Sequence, residues 1–303
     1  MIKKIILSLS TLILGVLNFG CKTSQTPAKP VVSASETLEK SLFWKISGNG
    51  LKKPSYLYGT IHIICKEDLM ITDNMKGGLD KSEQLVLEID MDEPGMMLSS
   101  MKMMMMPGGK TIKQLLSEDD YKMVNKFFKD SLKMDLGFLG TMKPMMLSSV
   151  MYPKILNCTI ASYEQTLMDY VKQQKKPVLG LETIEDQMNA IDKIPLENQA
   201  KMLVESVKDY GKSVGEFKKL LNDYKNRDLE GLYKNMQQSE TMEMTPEFES
   251  ALLNERNQRW IPIIEKMTKE KTTFFAVGAG HLAGKNGVIN LLRQKGYKVE
   301  ALF

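Results

Sequence analysis

Apolar and polar positions alternate where the folded part of the chain begins. In "SLFWKI" (41–46) Leu42, Trp44 and Ile46 alternate with their neighbours, which predicts a strand. "GNGLKKP" is turn chemistry, and "SYLYG" reads as a second strand ending at Gly59. A weak helical stretch follows near 73–82. "QLVLEID" then has the pattern of a buried strand, with Glu88 at its end. From about 96 to 240 the chain reads as mainly helical. Ser117 is placed as an N-cap, and Tyr121, Val124, Phe127 and Phe128 share one face. One strand interrupts this region: Pro177 opens the apolar run Val178 to Leu181, and Thr183 caps the next helix. At the C-terminus "TTFFAV" is a β-branched and aromatic strand, and "GAGHLAGKNG" a glycine-rich connection. "VINLLRQKG" is a short helix with Val288, Leu291 and Leu292 on one face and Gly296 at its end, and "YKVEALF" is a closing strand.

Histidine changes this picture. The chain has two, His62 and His281. Each closes a Gly-x-x-His tetrapeptide after an apolar strand, and each is followed by a helix and a strand carrying a glutamate, Glu88 or Glu300. The two segments read as degenerate copies of one β-α-β unit, separated by a large helical insertion. The expected class is α/β. Connections between parallel strands gather at one sheet edge, where open α/β sheets bind ligands. His62 and His281 are therefore expected to meet.

The first residues are read apart from the fold. Lys3 and Lys4 precede an apolar run, Ile5 to Phe19, that is shorter than the about 20 residues of a membrane-spanning helix. This is the composition of a secretory signal peptide. Gly20-Cys21 after it looks like a bacterial lipoprotein cleavage site, with Cys21 lipidated, although Asn18 stands where leucine is usual. The expected organisation is a lipoprotein signal peptide at 1–20, a lipidated cysteine and polar tether at 21–40, and one domain at 41–303. The expected location is a membrane-anchored, exported protein, at the outer membrane or facing the periplasm. The formal charge of +4 falls to +2 without Lys3 and Lys4. Nearly balanced charge gives no footprint for nucleic acid. Of three cysteines, Cys65 and Cys158 remain after Cys21. An exported compartment permits a disulfide, and two free thiols are the other reading.

Two imidazoles and a carboxylate with an open position form a recognised catalytic metal set. His62, His281 and Glu88 are the candidate ligands, and Asp90 would support them if its strand continues. Glu182, at the end of the middle strand, is the candidate general base or partner to a ligand. Gly59, Gly278 and Gly280 are expected to allow tight turns with positive φ, close approach of substrate, and backbone N–H groups for an oxyanion. In "LLNERNQRW" Arg256 is the candidate for binding a carboxylate or developing negative charge. "GAGHLAG" lacks the spacing of a dinucleotide loop, and no H-E-x-x-H, P-loop or G-x-S-x-G occurs. The chain has 24 methionines, many in "GMMLSSMKMMMMPGGK". An apolar lid or core filler is the ordinary reading of such a run, and a thioether site for Cu(I) the special one.

"FWKI", "YLYGTIH", "LVLEID", "MPGGKTIKQLLSEDDY", "KPMML", "KPVLGLETIEDQ", "ERNQRW" and "FFAVGAGHLAGKNGVINLLRQKGYKVEAL" occur in an order that resembles the TraB/GumN family, relatives of the Tiki metalloproteases. The resemblance runs from about Ser41 to Phe303. It implies a Tiki-like α/β fold and a peptidase site using a divalent metal ion (Mn, Co or Zn). His62, His281 and Glu88 match the ligands, "GLET" adds Glu182, and "ERN" adds Arg256 and Asn257. A peptide or protein substrate is implied, with the membrane reached through the lipid anchor. Erythromycin esterases and haem-binding lipoproteins are more distant relatives. A metal-independent esterase and a lipoprotein that binds peptide, haem or metal without turnover therefore stand as alternatives. Two departures bear on rigidity. Gly77-Gly78 is expected to interrupt the helix after the first motif, and Ile63-Ile64-Cys65 stands where relatives often have proline.

Overall fold

The structure is a computed structural model and describes residues 37–241 and 244–303. The leader, Cys21 and most of the tether lie outside the described residues.

Six strands form the central sheet: β1 (Phe43–Gly48), β2 (Ser55–Thr60), β4 (Gln84–Ile89), β6 (Val178–Glu182), β7 (Thr273–Gly278) and β8 (Tyr297–Leu302). A separate two-stranded ladder joins β3 (Ile64–Cys65) to β5 (Ile160–Ala161). The sheet order is β6-β4-β7-β2-β1-β8. The first four are parallel, and β1 runs antiparallel to both β2 and β8. The buried parallel strands are continuous apolar runs because both faces are covered. Leu57, Leu85, Val86, Phe274 and Phe275 have no measurable exposure.

Both β-α-β units exist. β2 passes through the helix Asp73–Lys81 to β4, and β7 through the helix Val288–Gln294 to β8. The two histidine-bearing strands are direct parallel neighbours, from Tyr56 opposite Phe274 to Thr60 opposite Gly278. The correspondence breaks at the second glutamate. β8 lies outside β1, and Glu300 pairs with Lys45 at 3.0 Å and Lys298 at 2.6 Å, away from the histidines.

Gly77 and Gly78 do not interrupt their helix, which runs unbroken over Asp73–Lys81. A Cβ at Gly78 would stand 2.7 Å from Phe43 Cζ and 3.3 Å from Phe274 Cε2. The missing side chain lets the helix seat on stacked rings, with Phe43 5.7 Å from both Tyr56 and Phe274. Each such ring pair contributes about 0.5–1.5 kcal/mol beyond its buried area.

The insertion between the units has its own apolar cluster, including Val124, Phe128, Leu147, Leu203 and Val207. Ser117 caps its helix, as the pattern predicts, by accepting the Asp120 N–H. The methionine run is largely on the surface: in the helix Met96–Met103, Met97 is 76% exposed and Met101 56%. The core-filler reading therefore fails for these residues. Cys65 and Cys158 form a disulfide. No helix among the described residues is long and apolar enough to cross a membrane.

Candidate functional site

The carboxyl ends of β2, β4, β6 and β7 open on one edge of the sheet. β2 stops at Thr60, leaving His62 just beyond it, and β7 stops at Gly278. A 3-10 turn, Ala279–His281, turns the second imidazole back toward the edge. Glu88 reaches the same place from β4. The convergence is centred on Gly278. A Cβ there would be 3.2 Å from Glu88 Oε1, 3.6 Å from His281 Cδ2 and 3.9 Å from His62 Nε2. A glycine at the strand end thus leaves space among the three side chains. Glu88 Oε1 lies 3.8 Å from His281 Nε2.

The second nitrogen of each ring is held. His281 Nδ1–H donates to Asn257 Oδ1 at 2.7 Å, while Asn257 Nδ2 donates to the carbonyls of His281 and Asn286. This arrangement fixes the tautomer and leaves Nε2 as the acceptor nitrogen, facing Arg256 and Glu88. Burial pushes the His281 pKa down to about 3 against the pull of Glu88, with the charges of Arg256 and His62 adding to burial, so the ring is neutral. His62 Nδ1–H donates to Glu164 Oε1 at 2.9 Å. For His62 burial lowers the pKa, but the Glu164 hydrogen bond and the charges of Glu88 and Glu164 outweigh it and raise it to about 9. Solvent weakens that rise, because 66% of the His62 side chain is exposed. Burial also opposes ionisation of Glu88. The facing His281, Arg256 and His62 overcome it and hold the carboxyl well below its usual range, Arg256 being the permanent charge among them.

Arg256 ties the acidic groups together. Its Nε and Nη2 donate to Glu182 Oε1 at 2.8 and 2.6 Å, and Nη2 also donates to Glu88 Oε2 at 2.6 Å. Nη1 donates to the Leu252 carbonyl at 2.9 Å and to His281 Nε2 at 3.1 Å. Every N–H of the guanidinium has an acceptor within the protein. Glu182 Oε2 in turn accepts from Trp260 Nε1 at 3.1 Å. Both Glu182 oxygens thus accept hydrogen bonds, from Arg256 and from Trp260.

Three expectations are corrected. None of Gly59, Gly278 and Gly280 has a positive φ. The Gly59 N–H donates to the Leu42 carbonyl and the Gly278 N–H to Glu88 Oε1 at 2.7 Å, so these two are not free oxyanion donors. Close approach is what these glycines provide. A Cβ at Gly59 would meet Leu282 Cδ1 at 2.9 Å, and one at Gly280 would meet Met236 Cε at 3.0 Å. Asp90 does not extend the strand: β4 ends at Ile89, and Asp90 Oδ1 accepts the Asp92 N–H.

Sequence reasoning missed Glu164, Gln187 and Trp260. Glu164 sits in the first turn of the helix Tyr163–Gln173, inside the helical insertion, where no motif marks it. Gln187 donates to Glu88 Oε2 at 3.2 Å. Trp260 packs 4.5 Å from the His281 ring and lies under Arg256. One signal was available for Trp260, which follows Arg256 by four positions and so shares its helix face.

The donor chemistry fits a divalent ion: two imidazoles with their far nitrogens held, and one ionised carboxylate. The spacing is looser than that of an assembled site. Among the described residues, the group with donor atoms all within 4.8 Å of one another is Cys65, Glu67 and Cys158, and its sulfurs are joined. His62 is the exposed member of the histidine set.

The fold and site define a class of α/β proteins in which two Gly-x-x-His loops and a strand-end glutamate meet at the carboxyl edge of a parallel sheet. The model of the TraB/PrgY/gumN family matches residues 42–301, and the chain belongs to that family. It is 25% identical to metalloprotease TIKI1 of Danio rerio, over 93% of this chain and 65% of that protein. It is 24% identical to metalloprotease TIKI2 of Xenopus tropicalis, over 82% of this chain and 57% of that protein. Human metalloprotease TIKI1 is also 24% identical, over 86% of this chain and 61% of that protein. The chain thus spans less than two thirds of the length of these relatives. No solved structure matches it.

Proposed function

We propose that this chain is an exported, lipid-anchored peptidase dependent on a divalent metal ion. The observation that carries the reading is the convergence of His62, Glu88 and His281 on the space beside Gly278. The names of the relatives support the same chemistry. His62 and His281 would bind through Nε2 and Glu88 through its carboxylate. Bound there, Mn, Co or Zn would polarise a peptide carbonyl and acidify a water molecule. The protein's own groups prepare that set. Asn257 keeps Nε2 as the unprotonated nitrogen of His281, Glu164 holds His62 through Nδ1 with Nε2 toward the cleft, and Arg256 balances the charge of Glu88. Glu182 orients Arg256. A peptide or protein segment is the substrate, entering at the exposed His62 side.

Metal-stripped protein tests this reading. Restoring Mn, Co or Zn should restore cleavage of unfolded polypeptide, and His62→Ala and His281→Ala should each lower it by at least about 100-fold. Cleavage that persists in chelator would overturn the assignment. A second reading is a metal-independent esterase using the exposed His62 as base, because its Nε2 lies at the cleft beside Gly278 while that of His281 already accepts from Arg256. Chelator-resistant hydrolysis of small esters selects that reading. For the anchor, Cys21→Ser should release the protein from the membrane fraction.

A further inference from the structure

His62 stands on a short irregular stretch between β2 and β3. β3 has one ladder partner, β5, with Ile64 opposite Ala161 and Cys65 opposite Ile160. The Lys66 N–H donates to the Thr159 carbonyl at 2.7 Å, and the Cys65–Cys158 disulfide closes the same ladder covalently. From β5 the chain passes through Ser162, which caps the helix Tyr163–Gln173, into the turn that carries Glu164. One side of this clip holds His62 and the other holds the carboxylate that grips it.

The grip is built. Glu164 Oε1 accepts from Thr60 Oγ1 at 2.8 Å and from His62 Nδ1 at 2.9 Å, while Oε2 accepts from Ser162 Oγ at 2.7 Å. The Glu164 side chain is 11% exposed and that of His62 66%. A buried, fully engaged carboxylate therefore holds an imidazole that is otherwise open to solvent. We propose that the Cys65–Cys158 disulfide, the β3–β5 ladder and Glu164 act as one positioning unit for His62. The cross-link seats Glu164 against Nδ1, and Nε2 is thereby directed at the cleft beside Gly278. Reduction by a dithiol releases the unit. Two electrons and two protons pass to Sγ of Cys65 and Cys158, giving two thiols, and the reductant leaves as its own disulfide. The metal-binding consequence rests on the reading of His62 as a ligand, whereas the positioning claim does not.

Two histidines in the chain make the test direct. Proton NMR of the metal-free oxidised protein should show two downfield, exchange-protected Nδ1–H resonances, one from the His62–Glu164 bond and one from the His281–Asn257 bond. Glu164→Gln should abolish or markedly shift the His62 resonance. The double variant Cys65→Ala/Cys158→Ala should lose it to exchange while keeping that of His281, which reports an intact fold. Native wild-type protein treated with dithiothreitol gives the same comparison if the double variant does not fold. A His62 resonance unchanged when both thiols are shown to be free would overturn the proposal. In a separate arm, Co2+ titration followed by visible absorption should show roughly 10- to 100-fold weaker binding in Glu164→Gln. Wild-type protein that binds no Co2+ would count against the proposed peptidase, and the NMR comparison would still decide the positioning unit.

Discussion

Arg256 has no N–H left over. Its guanidinium joins Glu88, Glu182, the Leu252 carbonyl and His281 in a nearly dry setting, with 6% of the side chain exposed. Removing it would strand two buried carboxylates. Arg256→Ala is expected to cost about 3–5 kcal/mol in urea unfolding, because breaking one side of a buried ion network leaves charge uncompensated. Gly278→Ala separates site from fold more cleanly. The glycine has φ −54°, which alanine adopts without strain, so its stability should change by no more than about 1 kcal/mol. The added methyl would stand among Glu88, His281 and His62, and divalent ion affinity should fall at least about tenfold by calorimetric titration. An affinity equal to wild type would show that the ion binds elsewhere. His62, Glu88 and His281 were legible in the sequence because histidine is so scarce that a shared setting stands out. Glu164 was not, because a carboxylate in the first turn of a helix is ordinary dipole chemistry and only the folded chain shows what it faces.

At the scale of elements, strands and caps were readable where local chemistry decides them. β2, β4, β6 and β7 are apolar runs bounded by turn residues, and Ser117 and Thr183 cap the helices they precede. Crossovers are decided by packing and were not readable, which is why Glu300 looked like a counterpart of Glu88 although β8 lies at the far side of β1. The adjacent glycines of the helix Asp73–Lys81 make the same distinction testable. A Cβ at Gly77 meets nothing within 4 Å, so Gly77→Ala should stabilise by about 0.5–1 kcal/mol through helix propensity. Gly78→Ala gains the same propensity but drives a methyl into Phe43, and should destabilise by about 1–3 kcal/mol. Thermal melts of the two variants should move in opposite directions, and a rise for Gly78→Ala would refute the packing account.

For the whole molecule, the two histidines tilt stability in opposite directions around their ordinary pKa near 6.5. His281 is depressed to about 3, so the unfolded chain binds a proton that the folded one refuses. Its contribution is full above 6.5 and is lost as pH falls toward 3. His62 is raised to about 9. Its contribution, reduced by exposure, is full below 6.5 and fades as pH rises through 9. Unfolding free energy of the metal-free protein should fall on both sides of about pH 6.5. His62→Ala should flatten the alkaline side, and an unchanged alkaline slope would remove the assigned His62–Glu164 bond as its cause.

The outer strands carry a practical consequence. Because β1 begins opposite Tyr58 and Leu302, the domain is entered and left at the same edge of the sheet as the histidine loops. The Ser41 hydroxyl bonds the Leu302 carbonyl there, and Asn74 bonds that of Phe303. An affinity tag or fluorescent partner fused close to either end of the domain would stand at the edge of the sheet that carries the histidine loops. Such a fusion calls for a long spacer, whereas an insertion at the β1–β2 hairpin turn emerges from the opposite edge and leaves the histidine loops clear.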